Sequence, residues 1–141
     1  MDSLSYRDAG VDYRMLDPFK VACQHAAEGT MDALGEHGFR KVPGARGESA
    51  FLIETPNAYL AHVEEALGTK NLVADALYRL TGESHYRDVA VDNVSTIVND
   101  LCTCGARPVS LCMYLAVGDA SYLADGTRAG GLAAGFAEGC R

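Results

Sequence analysis

The sequence lacks any apolar run close to the roughly 18 residues that a membrane-spanning helix needs. Its opening residues, MDSLSYRDAG, lack the basic start and the apolar stretch of a secretory signal. Basic residues are in the minority, with 12 Lys and Arg against 19 Asp and Glu, which gives a formal charge of −7. Nucleic-acid-binding surfaces are normally basic. We therefore expect neither a membrane nor a nucleic acid among the partners of this protein.

The cysteines and histidines lack the spacing of metal ligands or of a disulfide framework. The five cysteines are an odd set, and a single residue separates Cys102 from Cys104 where zinc-binding motifs usually have two. Free thiols are typical of a reducing compartment, so we expect a cytoplasmic protein. The Walker-type phosphate loop and the dinucleotide GxGxxG motif are also absent. Any nucleotide site must therefore be built in another way.

What is present indicates one α+β domain. A length of 141 residues with 48% hydrophobic and 22% charged residues is typical of a single folded unit. We predict an N-terminal arm over residues 1–16 and a domain over residues 17–141. Apolar residues recurring at three and four positions predict helices over residues 17–36, 71–80, 92–104 and from 127 to the chain end. A hairpin over 50–54 and 58–64, and a buried strand over 109–117, complete the prediction.

Two segments carry candidate chemistry. In EEALGTK (residues 64–70), Gly68 and Thr69 would allow close backbone approach, and Lys70 would reach a phosphate. The alternative is a plain strand end with solvated charges. In DNVSTIVNDL (residues 92–101), Asp92 is interpreted as a helix N-cap, and the Asn99-Asp100 pair lies on the wetter side of that helix. A capped helix with a polar stripe facing water explains the same residues without any ligand.

These segments, together with SYRDAGVD (residues 5–12) and GFAEGC (residues 135–140), resemble in their order the amino-terminal half of the AIR synthase (phosphoribosylformylglycinamidine cyclo-ligase) family. The resemblance implies an α+β fold with a mixed sheet packed by helices. It also implies a homodimer in which the sheets of two copies form a shared barrel. Enzymes of this family use ATP and Mg²⁺ to close the imidazole ring of aminoimidazole ribonucleotide from formylglycinamidine ribonucleotide in purine synthesis.

The resemblance also implies which residues form the site. The residues expected to bind ATP are Gly68, Thr69, Lys70, Asp92, Asn99 and Asp100. Those expected to hold Mg²⁺ are Asp100 and Glu65, and the domain alone supplies no assignable catalytic residue. Glu65 and Ala66 depart from the family, which has Asp and Gly there. The longer Glu side chain moves the carboxylate by about one bond length, and Ala66 adds a Cβ where a positive φ would favour glycine.

Several alternatives remain open at this point. The resemblance covers only the family's amino-terminal domain, so we expect a piece of a longer protein that is inactive by itself. A different enzyme of the superfamily, serving selenophosphate synthesis, thiamine phosphate phosphorylation or hydrogenase maturation, is disfavoured by SYRDAGVD. A diverged protein that binds nucleotide without closing the ring is favoured by Glu65-Ala66. A dimerisation module without any ligand is the third alternative.

Overall fold

The structure is a computed structural model that describes residues 12–45 and 49–141. The motif SYRDAGVD therefore lies outside the described residues, except for Asp12. The chain divides into two compact units. The first unit comprises Met1–Val42 and Ile53–Tyr59, and the second comprises Pro43–Leu52 and Leu60–Arg141.

The first unit begins with helix α1 (Tyr13–Glu28), followed by the single turn α2 (Ala33–Glu36). Asp12 caps α1 by accepting a hydrogen bond of 3.0 Å from the backbone N–H of Arg14. The helix therefore starts four residues before the predicted position. The prediction of one helix over residues 17–36 was wrong, because the Thr30 hydroxyl donates a hydrogen bond of 2.7 Å to the Ala27 carbonyl. Such local bonds compete with helix continuation.

A small sheet follows, with strands β1 (Arg40–Lys41), β2 (Phe51–Glu54) and β3 (Tyr59–His62) in that order. Strand β1 pairs antiparallel with β2, and Arg40 stands opposite Glu54. The predicted hairpin β2–β3 is confirmed, and its turn is closed by a 2.8 Å bond from the Thr55 N–H to the Ala58 carbonyl. Strands joined by so short a turn must be antiparallel. The α+β class is confirmed, but the sheet is antiparallel where a mixed sheet was predicted.

The second unit is mainly helical, with α3 (Lys70–Thr81), α4 (Tyr86–Thr103), the single turn α5 (Ser121–Ala124) and α6 (Gly126–Gly139). The prediction of α3 is confirmed to within one residue at each end. The interpretation of Asp92 as an N-cap was wrong, because α4 starts six residues earlier and Asp92 lies in its second turn. The expectation that the last helix runs to the chain end was also wrong, since α6 ends at Gly139.

The backbones of α4 and α6 approach each other closely along a row of glycines. A methyl group at Gly135 would overlap the Arg87 carbonyl oxygen and lie 2.7 Å from the Ala90 Cβ. A methyl group at Gly139 would lie 2.8 Å from the Val94 Cβ. Real Cβ atoms do not come so close to other atoms. The glycines of α6 therefore allow its backbone to pack closely against α4.

The apolar segment 109–117 is neither helix nor strand in the structure. Val109 is 94% exposed and Tyr114 is 86% exposed, so the prediction of a buried strand was wrong. A strand needs a hydrogen-bonding neighbour, and none of the described strands pairs with this segment. Among the described residues, no helix has the length and apolar character needed to cross a membrane.

Candidate functional site

The structure brings together two of the predicted site residues, Lys70 and Asp92. Lys70 is the first residue of α3, and its ammonium group donates a hydrogen bond to the Oδ2 atom of Asp92 on α4. Their side chains are 50% and 53% exposed, so both groups remain accessible to a ligand. Because this contact joins residues 22 positions apart, it is a product of the fold and not of local sequence.

The turn before α3 places Lys70 at a helix terminus that favours anions. Gly68 has a φ of +58°, a left-handed conformation that suits glycine, and Leu67 accepts a hydrogen bond of 3.2 Å from the Lys70 N–H. Thr69 is the N-cap but makes no side-chain cap bond, and the first turn contains no acidic residue. The N–H groups of Lys70 and Leu72 are already bonded to the carbonyls of Leu67 and Thr69, so the helix dipole and the Lys70 ammonium are the main features that attract negative charge here. In the structure, the Asp92 carboxylate is the negatively charged group that Lys70 binds.

Asp92 also lines a groove of about 420 Å³ beside α4. This volume is within the range of small-molecule sites. The other lining residues come from α4 and from the end of α6: Arg87, Asp88, Val91, Ser95 and Glu138. The Arg87 guanidinium forms an ion pair of 2.6 Å with Glu138. Polar and charged side chains therefore dominate the surface next to the Lys70–Asp92 contact.

The remaining predicted residues lie further along the chain or along α4. At 1.5 Å per residue, Asn99 and Asp100 are about 10–12 Å from Asp92 along the helix axis. At 100° per residue, Asn99 lies about 20° from the direction of Asp92, whereas Asp100 lies about 80° away. Asn99 thus shares the face of Asp92, and Asp100 does not. Glu65 is exposed in the coil before α3.

A dedicated metal site is not visible in the part of the chain that the structure describes. Within residues 12–45 and 49–141, no three His, Cys, Asp or Glu side chains are grouped as metal ligands. The assignment of Mg²⁺ to Asp100 and Glu65 therefore stays a prediction. Ala66 does not have a positive φ, so the substitution of the family's glycine introduces no left-handed backbone strain here.

Sequence reasoning missed a buried polar cluster that joins α3, α4 and α6. The Tyr86 hydroxyl donates a 2.5 Å hydrogen bond to the Oδ1 atom of Asp75, and the Arg128 Nε–H donates a 3.1 Å bond to the Tyr86 oxygen. Tyr86 is 1% exposed and Asp75 is 7% exposed. The only signal in the sequence was a carboxylate, Asp75, in the middle of an apolar helix.

Aromatic rings surround the cation of this cluster. The Arg128 guanidinium lies 4.2 Å from the ring centre of Tyr122 and 5.4 Å from that of Tyr86, and it donates a 3.1 Å bond to the Tyr122 carbonyl. Burial raises the pKa of the Tyr86 hydroxyl, and the hydrogen bond to Asp75 raises it further. The hydrogen bond to Tyr86 is the main reason that the pKa of Arg128 is raised. Tyr122 is half-buried.

Comparisons with known proteins confirm the resemblance. A family model described as AIR synthase related protein, N-terminal domain, matches residues 47–141. The chain is 35% identical over 118 residues to the phosphoribosylformylglycinamidine cyclo-ligase of Pyrococcus horikoshii, covering 81% of this chain and 32% of that enzyme. It is 31% identical over 144 residues to the cyclo-ligase of Rippkaea orientalis, covering 98% of this chain and 36% of the relative.

The cyclo-ligase of Synechocystis is 32% identical over 145 residues, covering 98% of this chain and 37% of the relative. The chain thus spans about a third of the length of the curated relatives that it matches. No solved structure matches it significantly.

Proposed function

This chain belongs to the AIR synthase related protein family, N-terminal domain, and from that membership we propose that it is the ATP-binding and dimerisation domain of a phosphoribosylformylglycinamidine cyclo-ligase. The parent enzyme would act in purine synthesis. Its substrates would be ATP and formylglycinamidine ribonucleotide. The isolated domain would bind nucleotide but would not turn over substrate, because it corresponds to about a third of the relatives.

The observation that supports ATP binding best is the Lys70–Asp92 contact at the start of α3. An accessible cation and carboxylate held together can each exchange the other for a ligand group of opposite charge. Lys70 would take a phosphate oxygen, with help from the positive end of the α3 dipole. Asp92 would then be released toward the groove, where a phosphate-bound metal ion is an appropriate partner.

The residues around this contact fit a magnesium ion that arrives with the nucleotide. Mg²⁺ is usually held by one or two carboxylates together with substrate phosphates, so a cage made of protein ligands alone is not needed. Asp92 would be the first of these carboxylates and Glu65 the second. Asn99 would be a polar group further along the same face, whereas Asp100, about 12 Å along α4 and on another face, would have to act on a different part of the ligand. When bound, Mg²⁺ would neutralise charge on the phosphates.

In the proposed reaction, ATP phosphorylates the formyl amide oxygen of formylglycinamidine ribonucleotide. An amidine nitrogen then attacks that carbon, phosphate leaves and the imidazole ring closes. Phosphoryl transfer asks the protein mainly for positioning and charge stabilisation. Lys70 would stabilise phosphate charge in this scheme, and the turn at Gly68 and Thr69 would let the backbone approach the phosphates closely.

Exposed apolar residues support the proposed homodimer. They include residues of segment 109–117 and of strand β3: Val109, Met113, Tyr114, Tyr59 and Leu60. Several exposed apolar side chains on one segment, as at Val109, Met113 and Tyr114, are typical of interaction sites, and a second copy would cover them. Light scattering should give twice the mass of one chain, and a monodisperse monomer would argue against the shared barrel.

Calorimetry with ATP and Mg²⁺ tests nucleotide binding directly. We expect the 141-residue chain to bind and the K70M variant to bind at least ~10-fold more weakly, because a charge-assisted contact to phosphate is lost. The matched control is K41M, since Lys41 forms a similar half-exposed ion pair of 2.8 Å with Glu28. Equal weakening by both variants would mean that only general charge matters. No binding by a folded wild-type chain would favour a dimerisation module without ligand.

A second candidate is a diverged relative that binds ATP without closing the ring, and the specific observation is the Glu65-Ala66 departure. A chimera separates the two candidates: this chain would replace the matching part of the Pyrococcus horikoshii cyclo-ligase. Ring closure by the chimera supports the cyclo-ligase. Ring closure only after E65D and A66G are introduced supports divergence, and inactivity of both chimeras despite ATP binding also favours the diverged relative.

A further inference from the structure

Helices α3 and α4 are joined by two polar contacts that differ in burial. The exposed contact is Lys70–Asp92, and the buried contact is Asp75–Tyr86. Going from the exposed to the buried contact, the residue number rises by five on α3 and falls by six on α4. The two helices therefore run in opposite directions and are connected at two levels, about one and a half turns apart.

The buried contact has more partners than the exposed one. The Tyr86 oxygen accepts a hydrogen bond from Arg128 while its hydroxyl donates to Asp75, so one O–H group lies between a cation and a carboxylate. Arg128 in turn bonds the Tyr122 carbonyl at 3.1 Å. Hydrogen bonds to charged groups are among the stronger ones, and burial strengthens them further.

Apart from the rings of Tyr78 and Tyr86, which meet edge to face at 5.6 Å between centres, the apolar side chains between α3 and α4 are small. Ala74 on α3 and Ala90 on α4 are fully buried and belong to one core cluster with Tyr86. Two alanines present no long side chains that could interdigitate and thereby fix how one helix slides or rotates against the other. The contact between the Tyr78 and Tyr86 rings is less directional than a hydrogen bond, so the register of the pair depends mainly on the hydrogen bond between Asp75 and Tyr86.

We propose that Tyr86, acting with Asp75 and Arg128, is a positioning residue for the phosphate site: the buried contact sets the register of α3 against α4 and so places Lys70 against Asp92. Tyr86 acts through the helix and not on the ligand. Asp75 is five residues from Lys70, or about 7.5 Å along α3, so a shift at Asp75 is carried to Lys70 by a rigid element. The role in nucleotide binding rests on the function proposed above.

The test compares Y86F with Y78F in the 141-residue chain. Y86F removes only the hydroxyl that bridges Asp75 and Arg128. Y78F is the matched control, because the Tyr78 ring packs against Tyr86 at 5.6 Å between centres and its hydroxyl makes no hydrogen bond to the described members of the cluster. Two readouts are needed: the affinity for ATP with Mg²⁺, and the ¹³C relaxation of the Lys70 Cε methylene without nucleotide.

We expect Y86F to weaken ATP binding about fivefold, the effect of one hydrogen bond of ordinary strength. We also expect faster motion of the Lys70 side chain in Y86F and wild-type behaviour in Y78F. Unchanged Lys70 relaxation in a folded Y86F variant would overturn the proposal. If the wild-type chain binds no ATP, the proposed function fails, but the relaxation measurement still decides whether Tyr86 positions Lys70.

A second variant covers the case in which Y86F does not fold. R128K keeps a positive charge but removes the Nε–H donor to the Tyr86 oxygen. We expect the same two changes in R128K, with a smaller loss of affinity. Wild-type affinity and wild-type Lys70 relaxation in a folded R128K variant would contradict the proposal independently of Y86F.

Discussion

The two faces of helix α4 carry opposite kinds of surface. Its inner face is buried at Tyr86, Ala90, Val94 and Leu101. Its outer face carries groups such as Asp92, which is exposed and paired with Lys70 at the mouth of a polar groove. Both faces bond to α3, one through a buried hydroxyl and the other through an accessible carboxylate. The same helix therefore separates a contact that holds the fold from a contact that is free to exchange partners.

The difference between the two faces of α4 predicts which substitutions will lower the free energy of unfolding. Removing one partner of a buried polar contact lowers stability strongly, because the remaining charge has lost its hydration and no longer has a partner that compensates for this loss. Accessible ion pairs contribute little, because water and salt replace either partner. Changes on the inner face should therefore alter stability, and should affect ligand binding only indirectly, through the register of α3 against α4. Changes on the outer face should alter ligand binding directly.

R128M should have the largest effect on stability. Removing the guanidinium leaves the buried Asp75 carboxylate without its cation, and we expect a loss of about 3 kcal/mol in the free energy of unfolding. Urea denaturation of wild type and variant gives the value. R79M is the control, because Arg79 is exposed on α3 and its replacement should change stability by less than about 0.5 kcal/mol. Equal effects would show that the inner face holds no special polar contact.

G135A should have the next largest effect. The added methyl group would overlap the Arg87 carbonyl oxygen, and backbone cannot move aside as a flexible side chain can. Overpacking of this kind costs about 1–3 kcal/mol. Gly130 lies in the same helix but has nothing within 4 Å of a built Cβ, so G130A should be neutral or stabilising by up to about 1 kcal/mol. Thermal melts of both variants compare their stabilities. A G135A variant as stable as wild type would contradict the prediction.

Raising the pH should weaken the inner face. Burial and the bond to Asp75 raise the pKa of Tyr86 above that of an unfolded tyrosine, which is about 10. The stabilising contribution is therefore complete below pH ~10 and is lost as the pH rises toward the higher folded value, because the unfolded chain releases its proton first. Unfolding measured at about pH 8 and about pH 11 should show a steeper loss for wild type than for Y86F. Parallel losses would contradict this assignment.

K70M should have the smallest effect on stability. The Lys70–Asp92 pair is half-exposed, and Lys70 lies at a helix start where the dipole disfavours a cation. We expect a change below about 1 kcal/mol in the free energy of unfolding. The same variant should lose nucleotide affinity, as proposed above. A large loss of stability would mean that Lys70 is structural, and the separation between the two faces would no longer hold.

Sequence reasoning predicted the elements whose signals are local. The period of apolar residues was sufficient for α3, and the alternation around Pro56 was sufficient for the hairpin β2–β3. The family resemblance supplied the candidate residues Lys70 and Asp92, and the structure joins them across 22 positions. The predictions of α3 and of the hairpin succeeded because neighbouring residues carried the information, whereas the assignment of Lys70 and Asp92 to a ligand site stays a prediction.

Other features depended on partners far away in the sequence. Asp92 had the residue type of an N-cap, but Tyr86 starts α4 earlier because Asp75 and Arg128 bond its hydroxyl from two other helices. Segment 109–117 has the composition of a buried strand, but strand formation requires a neighbouring backbone that composition does not reveal. Periodicity therefore could not reveal where α4 starts or that residues 109–117 form no strand.

Gly135 and Gly139 on α6 affect the shape of the groove beside α4. Glu138, which forms an ion pair with Arg87 in the lining of that groove, lies between Gly135 and Gly139 on the part of α6 that comes closest to α4. Hydrogen atoms in place of methyl groups thus determine how far the two walls stand apart. The small size of Gly135 and Gly139, which the packing of α6 against α4 requires, would thus limit the width of the molecules that can enter the groove.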